Sequence, residues 1–221
     1  MGQSRQALFY FDYISPYAYL MWHKLNAADS ALSERLELSC RPILFAGLLN
    51  HWGQKGPAEI EGKRVHTYRQ VHWLAEQSGI PFRMPDAHPF NPLSALRLTI
   101  AAGNTAEAVS SIFESIWAQG HRPDDPDGFA AIVDGLGFEG GAPAAAEAIT
   151  RPEVKHGLQN NGEEALSQKV FGVPTVVLDG ELFWGVDSCD MLAHFLDRPD
   201  YFRSEEMRRI HNIQPSASRT G

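Results

Sequence analysis

Hydrophobic and polar positions along this chain recur with two different periods, and the switches between them mark its elements. Leu8 to Phe11 is an aromatic and aliphatic run of strand type. It gives way to a helical pattern: Ser15 is a good N-cap and Pro16 suits the first turn. Met21, Leu25, Ala28 and Leu32 then fall at i, i+4, i+7 and i+11. Next, Leu36, Leu38 and Cys40 alternate with Glu37, Ser39 and Arg41, the period of a strand with one covered face, and Pro42 ends it or marks an edge. Strand, helix, strand in this order predicts a right-handed crossover between parallel neighbours. The first helix therefore starts at the carboxyl end of the first strand, where open α/β sheets bind small molecules.

From about Phe45 to Gln168 the pattern is helical, with no convincing strand. The spacing predicts a helix over His66 to Ser78, closed by Gly79 and Pro81, and another over Leu93 to Ala102, entered through Asn91-Pro92. Val109, Ile112, Phe113, Ile116 and Trp117 give the clearest amphipathic stripe, ended by Gly120. A shorter helix follows Asp125-Pro126, before the Gly-rich segment Gly135 to Gly141. A last one follows Pro152 through Val154, Leu158, Asn161 and Ala165. Beyond Pro174, two apolar runs flank Asp179-Gly180, a strong hairpin signal. Met191, Leu192, Phe195 and Leu196 have helical spacing, Tyr201 to Ile213 adds a short helix, and Pro215 to Gly221 reads as a frayed tail.

Composition narrows the classes. The chain has 221 residues, 43% hydrophobic and 21% charged, enough for one elaborated domain. A formal charge of −8 argues against a binder of nucleic acid backbones. No leader and no bilayer-length apolar run is visible, so a soluble, cytoplasmic protein that makes no use of a membrane is expected. Cys40 and Cys189 are the two cysteines; they lie far apart and read as buried small residues. The nine histidines show no metal-ligand spacing, His66 and His72 being six apart, and no metal is expected.

A helix N-terminus presents free N–H groups and partial positive charge, so the Ser15 hydroxyl lies where an anion or thiolate is stabilised. The plainer reading is a helix cap only. The order β-α-β, helical insertion, β-β-α, with the last unit entered through Gly172-Val173-Pro174-Thr175, resembles the thioredoxin-like fold of the DsbA and kappa-class glutathione transferase group. This α/β reading assigns 1–45 and 169–200 to a discontinuous thioredoxin-like domain, 46–168 to the helical insertion and 201–221 to an extension. Where dithiol members carry C-x-x-C, this chain has Ser15 and Ala18. The strand-turn-helix run Phe9 to Tyr19, Pro42 to Leu49, the Lys63 region, Pro89-Phe90-Asn91-Pro92, Phe171 to Thr175 and Phe183 to Asp187 together resemble the 2-hydroxychromene-2-carboxylate isomerase family.

That resemblance implies glutathione as cofactor, a small aromatic substrate and a homodimer. It sets Ser15 against the glutathione sulfur and makes Val173-Pro174 a cis peptide, with the Val173 backbone pairing to the cysteinyl part; the bland alternative is a Pro that begins a strand. Asp187 and Ser188 would hold the γ-glutamyl end, or simply cap the last helix, and Ser188 stands where many relatives have Arg. Gln54, in a loop from Asn50 to Pro57, together with Lys63, its neighbour Arg64 and Asn91, are candidate substrate contacts, and Trp52, Trp73 and Trp184 candidate pocket walls. A kappa-like transferase or peroxidase, or a DsbA-like oxidoreductase that has lost its redox cysteines, are the competing functions.

Overall fold

The computed structural model describes residues 4–28 and 30–217. A four-stranded sheet has the order β2-β1-β3-β4, with β1 (Arg5–Phe11), β2 (Leu36–Pro42), β3 (Thr175–Leu178) and β4 (Glu181–Trp184). β1 and β2 are parallel, in register from Arg5 opposite Leu36 to Phe11 opposite Pro42, as the crossover rule requires. Pro42, which has no N–H to donate, is the last residue of an edge strand. β3 runs antiparallel to β1, Tyr10 facing Thr175, and the hairpin to β4 turns through Asp179 and Gly180, both at positive φ (52° and 83°). The frayed tail expected over 215–221 lies partly outside the described residues.

Between the two halves of the sheet run α2 (Phe45–Trp52), α3 (Glu61–Gln77), α4 (Leu93–Ala101), α5 (Ala106–Trp117), α6 (Pro126–Leu136), α7 (Gly141–Ala148) and α8 (Pro152–Ser167). α1 (Pro16–Asn26) crosses from β1 to β2, and α9 (Cys189–Asp197) and α10 (Glu205–His211) follow β4. The thioredoxin-like α/β fold with a large helical insertion is therefore present. Phe9, Phe11, Cys40, Val176 and Phe183 face one side of the sheet and share a core with α1, α5 and α9. Tyr10 and Val177 face the other, with Ile43, Leu48, Ala165 and Val170. Phe113 of α5 binds the insertion to the sheet: its ring centroid lies 5.4 Å from Phe11, 4.6 Å from Tyr13 and 6.4 Å from Trp22.

Several boundaries differ from the sequence reading. α1 stops at Asn26, whose amide donates to the Trp22 carbonyl at 2.8 Å, and Ala27 is extended; Ala28 and Leu32 are thus off the helix, although Leu32 is buried. α3 begins at Glu61 rather than His66, because it buries only Val71 and Ala75 and its outer turns carry no apolar stripe. Asn50 to Trp52 belong to α2, which Gly53 ends in the left-handed conformation, so the expected loop is shorter. Gly140 and Gly141 do not end helical structure; they open α7.

Candidate functional site

Where β1 ends, the chain turns over Asp12 to Ser15 before entering α1. Asp12 is fully buried; Oδ1 accepts from the Ile14 N–H at 3.0 Å and Oδ2 from the Phe45 N–H at 2.8 Å. Burial pushes its carboxyl up to about 7, against the pull of those two donors. The Ser15 N–H donates to the Asp12 carbonyl at 3.0 Å, closing the turn. Ser15 Oγ accepts from the Ala18 N–H at 3.3 Å, as the N-cap reading predicts. The cap uses an oxygen lone pair, so the hydroxyl proton is still available to donate. Pro16 has no N–H, and the N–H of Tyr17 has no backbone acceptor among the described residues. A hydroxyl donor and a free amide donor thus lie together at the positive end of α1.

The register of β3 on β1 brings Val173 and Pro174 alongside this turn, since Thr175 already faces Tyr10. The Val173–Pro174 peptide is cis. The Pro174 carbonyl accepts from Gly185 at 2.9 Å, whereas the Val173 backbone makes no such bond among the described residues. Val173 therefore offers an N–H and a C=O to an added strand.

The turn Val186–Ser188, a separate 3-10 turn before α9, carries the next two candidates. Asp187 is exposed and lies close enough to raise the ionisation of the Tyr17 hydroxyl, chiefly raised by burial; that hydroxyl donates to Gln70 Oε1 of α3 at 2.7 Å. Ser188 is buried, and its N–H (3.0 Å) and hydroxyl (2.7 Å) both go to the Gly185 carbonyl. It braces the turn, and its side chain does not cap α9.

The substrate candidates are dispersed. Gln54 is exposed just beyond α2, whose first N–H is held by Asp12; eight residues of helix place its far end roughly 12 Å from that anchor. Lys63 is exposed on α3 with no ion pair among the described residues, and Arg64 is half-buried with Nη1 3.4 Å from the Ala58 carbonyl. Asn91 is occupied locally: Oδ1 accepts from the Leu93 N–H at 3.0 Å, ahead of α4. Trp73 and Trp184 are more than half exposed, and Trp52 lays its indole over the approach to β3, donating to the Val170 carbonyl at 3.0 Å. A cleft of about 420 Å³ lined by Trp22, His23, Lys24, Ser110 and Glu114 lies toward the other end of α1 from Ser15.

Two side chains at the junction escaped the sequence reading. Asp12 had a signal, a carboxylate closing a run of buried aromatic residues. His88 had none: it lies far away in sequence and donates Nε2–H to the Ile14 carbonyl at 2.8 Å. Cys40 and Cys189 are buried, as expected, and burial pushes their thiols up to about 12 and about 11. Among the described residues no three His, Cys, Asp or Glu side chains group as metal ligands, and no helix is long and apolar enough to cross a membrane.

The profile of the DSBA-like thioredoxin domain matches residues 6–197. A 2-hydroxychromene-2-carboxylate isomerase of Pseudomonas sp. strain C18 is 30% identical over 192 residues, covering 84% of this chain and 87% of that protein. A solved 2-hydroxychromene-2-carboxylate isomerase superposes with a TM-score of 0.77 at 25% identity, covering 88% of this chain and 95% of the other. The kappa 1 glutathione S-transferase of Rattus norvegicus is 25% identical over 212 residues, covering 89% and 93% of the two chains.

Proposed function

The chain belongs to the DsbA-like thioredoxin family and is an isomerase akin to the 2-hydroxychromene-2-carboxylate isomerases, and we propose that it works through a bound glutathione thiolate. The observation that supports this most is the Ser15 hydroxyl at the start of α1, standing with the Tyr17 N–H where dithiol relatives place cysteine. A free thiol titrates at about 8.5, and a hydroxyl donor with a helix N-terminus favours its anion. Serine supplies the stabilising donor but cannot enter a disulfide. In this reading the Val173 backbone pairs with the cysteinyl part of glutathione, beside Pro174, and the exposed Asp187 carboxylate takes its amino group. Ser188 holds the turn that presents Asp187.

When bound, glutathione would supply a nucleophilic thiolate for reversible addition to a conjugated double bond of a ring-opened aromatic 2-oxoacid, and the Ser15 hydroxyl and Tyr17 N–H would hold that sulfur as its anion. Lys63 and Arg64 on α3 are the cations offered to the substrate carboxylate, with Gln54 and Asn91 as polar contacts at its margin. The second reading is a kappa-like transferase, favoured by the relative that spans 89% of the chain; it uses the same sulfur site but releases a conjugate, and product analysis separates the two. The homodimer implied by the resemblance is part of the proposal, as is a site in the cytoplasm.

A glutathione titration followed by thiolate absorbance tests the reading. The bound sulfur is expected to ionise below about 8.5, and Ser15→Ala to return it by about a unit or more toward that value. No binding, or an ionisation indifferent to Ser15, refutes it.

A further inference from the structure

Both polar ends of Ile14, the residue before Ser15, are held by side chains for which the chemistry above has no use. Its N–H goes to Asp12 Oδ1 at 3.0 Å and its carbonyl receives His88 Nε2–H at 2.8 Å. A carbonyl only accepts, so Nε2 carries the proton. Burial lowers the ring's proton affinity and nearby Arg64 adds to that, opposed by the Ile14 bond, so the imidazole is neutral with Nδ1 as an acceptor. The Tyr68 hydroxyl of α3 lies 2.8 Å from Nδ1 and 2.8 Å from the His88 carbonyl. The rings of Tyr68, Phe90 and Trp117 surround the imidazole at 5.3, 5.6 and 5.7 Å. Trp117 itself donates to the Tyr13 carbonyl at 2.9 Å. The turn that aims Ser15 is thus held from two sides, by Asp12 within it and by His88 and Trp117 of the helical insertion.

We propose that His88 is a positioning residue: through Tyr68 it ties the docking of α3 to the peptide before Ser15, and so fixes where the Ser15 hydroxyl and the first N–H groups of α1 point. The Ile14 carbonyl and the Ser15 N–H belong to one peptide plane, so a donor on the first restrains the second. The proposal rests on the reading of Ser15 as the thiolate-stabilising group, because the aim of these donors is what a bound sulfur would sense.

The test needs no ligand. In a Ser15→Cys protein the introduced thiol sits at the same helix end, and its titration by ultraviolet absorbance reports the local donors; Cys40 and Cys189, pushed up to about 12 and about 11, stay out of the window. That thiol is expected to ionise below about 8.5. Adding His88→Leu should raise it by about one unit, roughly a tenfold loss of thiolate at fixed pH. His88→Gln, whose amide can donate to the same carbonyl, should recover most of the shift, and Tyr68→Phe should give a smaller rise. A purely structural role lowers the denaturation midpoint and leaves the thiol titration unmoved. A folded His88→Leu protein that titrates as the Ser15→Cys protein does overturns the proposal, and an unmoved titration in Tyr68→Phe overturns it if the leucine variant does not fold. A response here with no glutathione binding by the parent protein would refute the functional reading alone; the reverse pattern would refute the positioning role alone.

Discussion

Asp12 joins stability to the site in one side chain. Its carboxyl is fully buried, with no cation among the causes of its shift, so burial dominates and raises it to about 7 from 3.8. The native state therefore binds a proton more tightly than the unfolded chain. The associated stability is complete below about pH 4, declines as pH rises toward 7 and is gone above it, a change of roughly 4 kcal/mol. Unfolding free energies measured from pH 4 to 8 should fall more steeply in the natural protein than in Asp12→Asn; equal slopes would count against a raised carboxyl. Asp12 also shows why the site was only partly legible. Ser15 declares itself by a local rule, a hydroxyl before Pro and an apolar stripe. Of the partners of Asp12, by contrast, the Ile14 amide is local, but the Phe45 amide opens α2 and meets the carboxylate only once the chain has folded.

At the scale of elements, capping and close approach set what the sequence revealed. α5 and α6 were read correctly because their apolar stripe and their Asp125-Pro126 entry are local signals, and Asp125 indeed accepts from the Gly128 N–H at 2.9 Å. α7 was missed: its core-facing residues are alanines, which carry little periodic contrast, and its opening glycines look like a stop. The same stretch contains a sharp constraint. A methyl group at Gly128 would lie 2.2 Å from the Arg122 carbonyl oxygen, a main-chain atom. Gly128→Ala should therefore destabilise the protein by about 1–3 kcal/mol in denaturant unfolding despite the helix propensity it adds. A neutral or stabilising result would show that the loop before α6 yields at little cost.

Across the whole molecule, the insertion and the sheet share a core, with Phe113 packed between Phe11, Tyr13 and Trp22. Phe113→Ala should cost about 3–5 kcal/mol, and tryptophan fluorescence and far-ultraviolet dichroism should report one coincident transition. Two separated transitions would mean that the insertion folds on its own. Alternating periods, a hairpin turn and a Pro before a strand made the architecture readable from the chain, because each is written within a few residues. How the helices dock, and hence what encloses a substrate, depends on contacts such as His88 to Ile14 that span most of a hundred residues and leave no periodic trace. The sulfur inventory carries a wider consequence. With Ser15 and Ala18 at the start of α1 and both cysteines sealed in the interior, the protein presents no thiol of its own to peroxides or to oxidised glutathione. If the proposed glutathione site is correct, competence would follow the supply of the reduced tripeptide, and oxidation of the polypeptide itself would fall on exposed methionines such as Met191 rather than on a thiol.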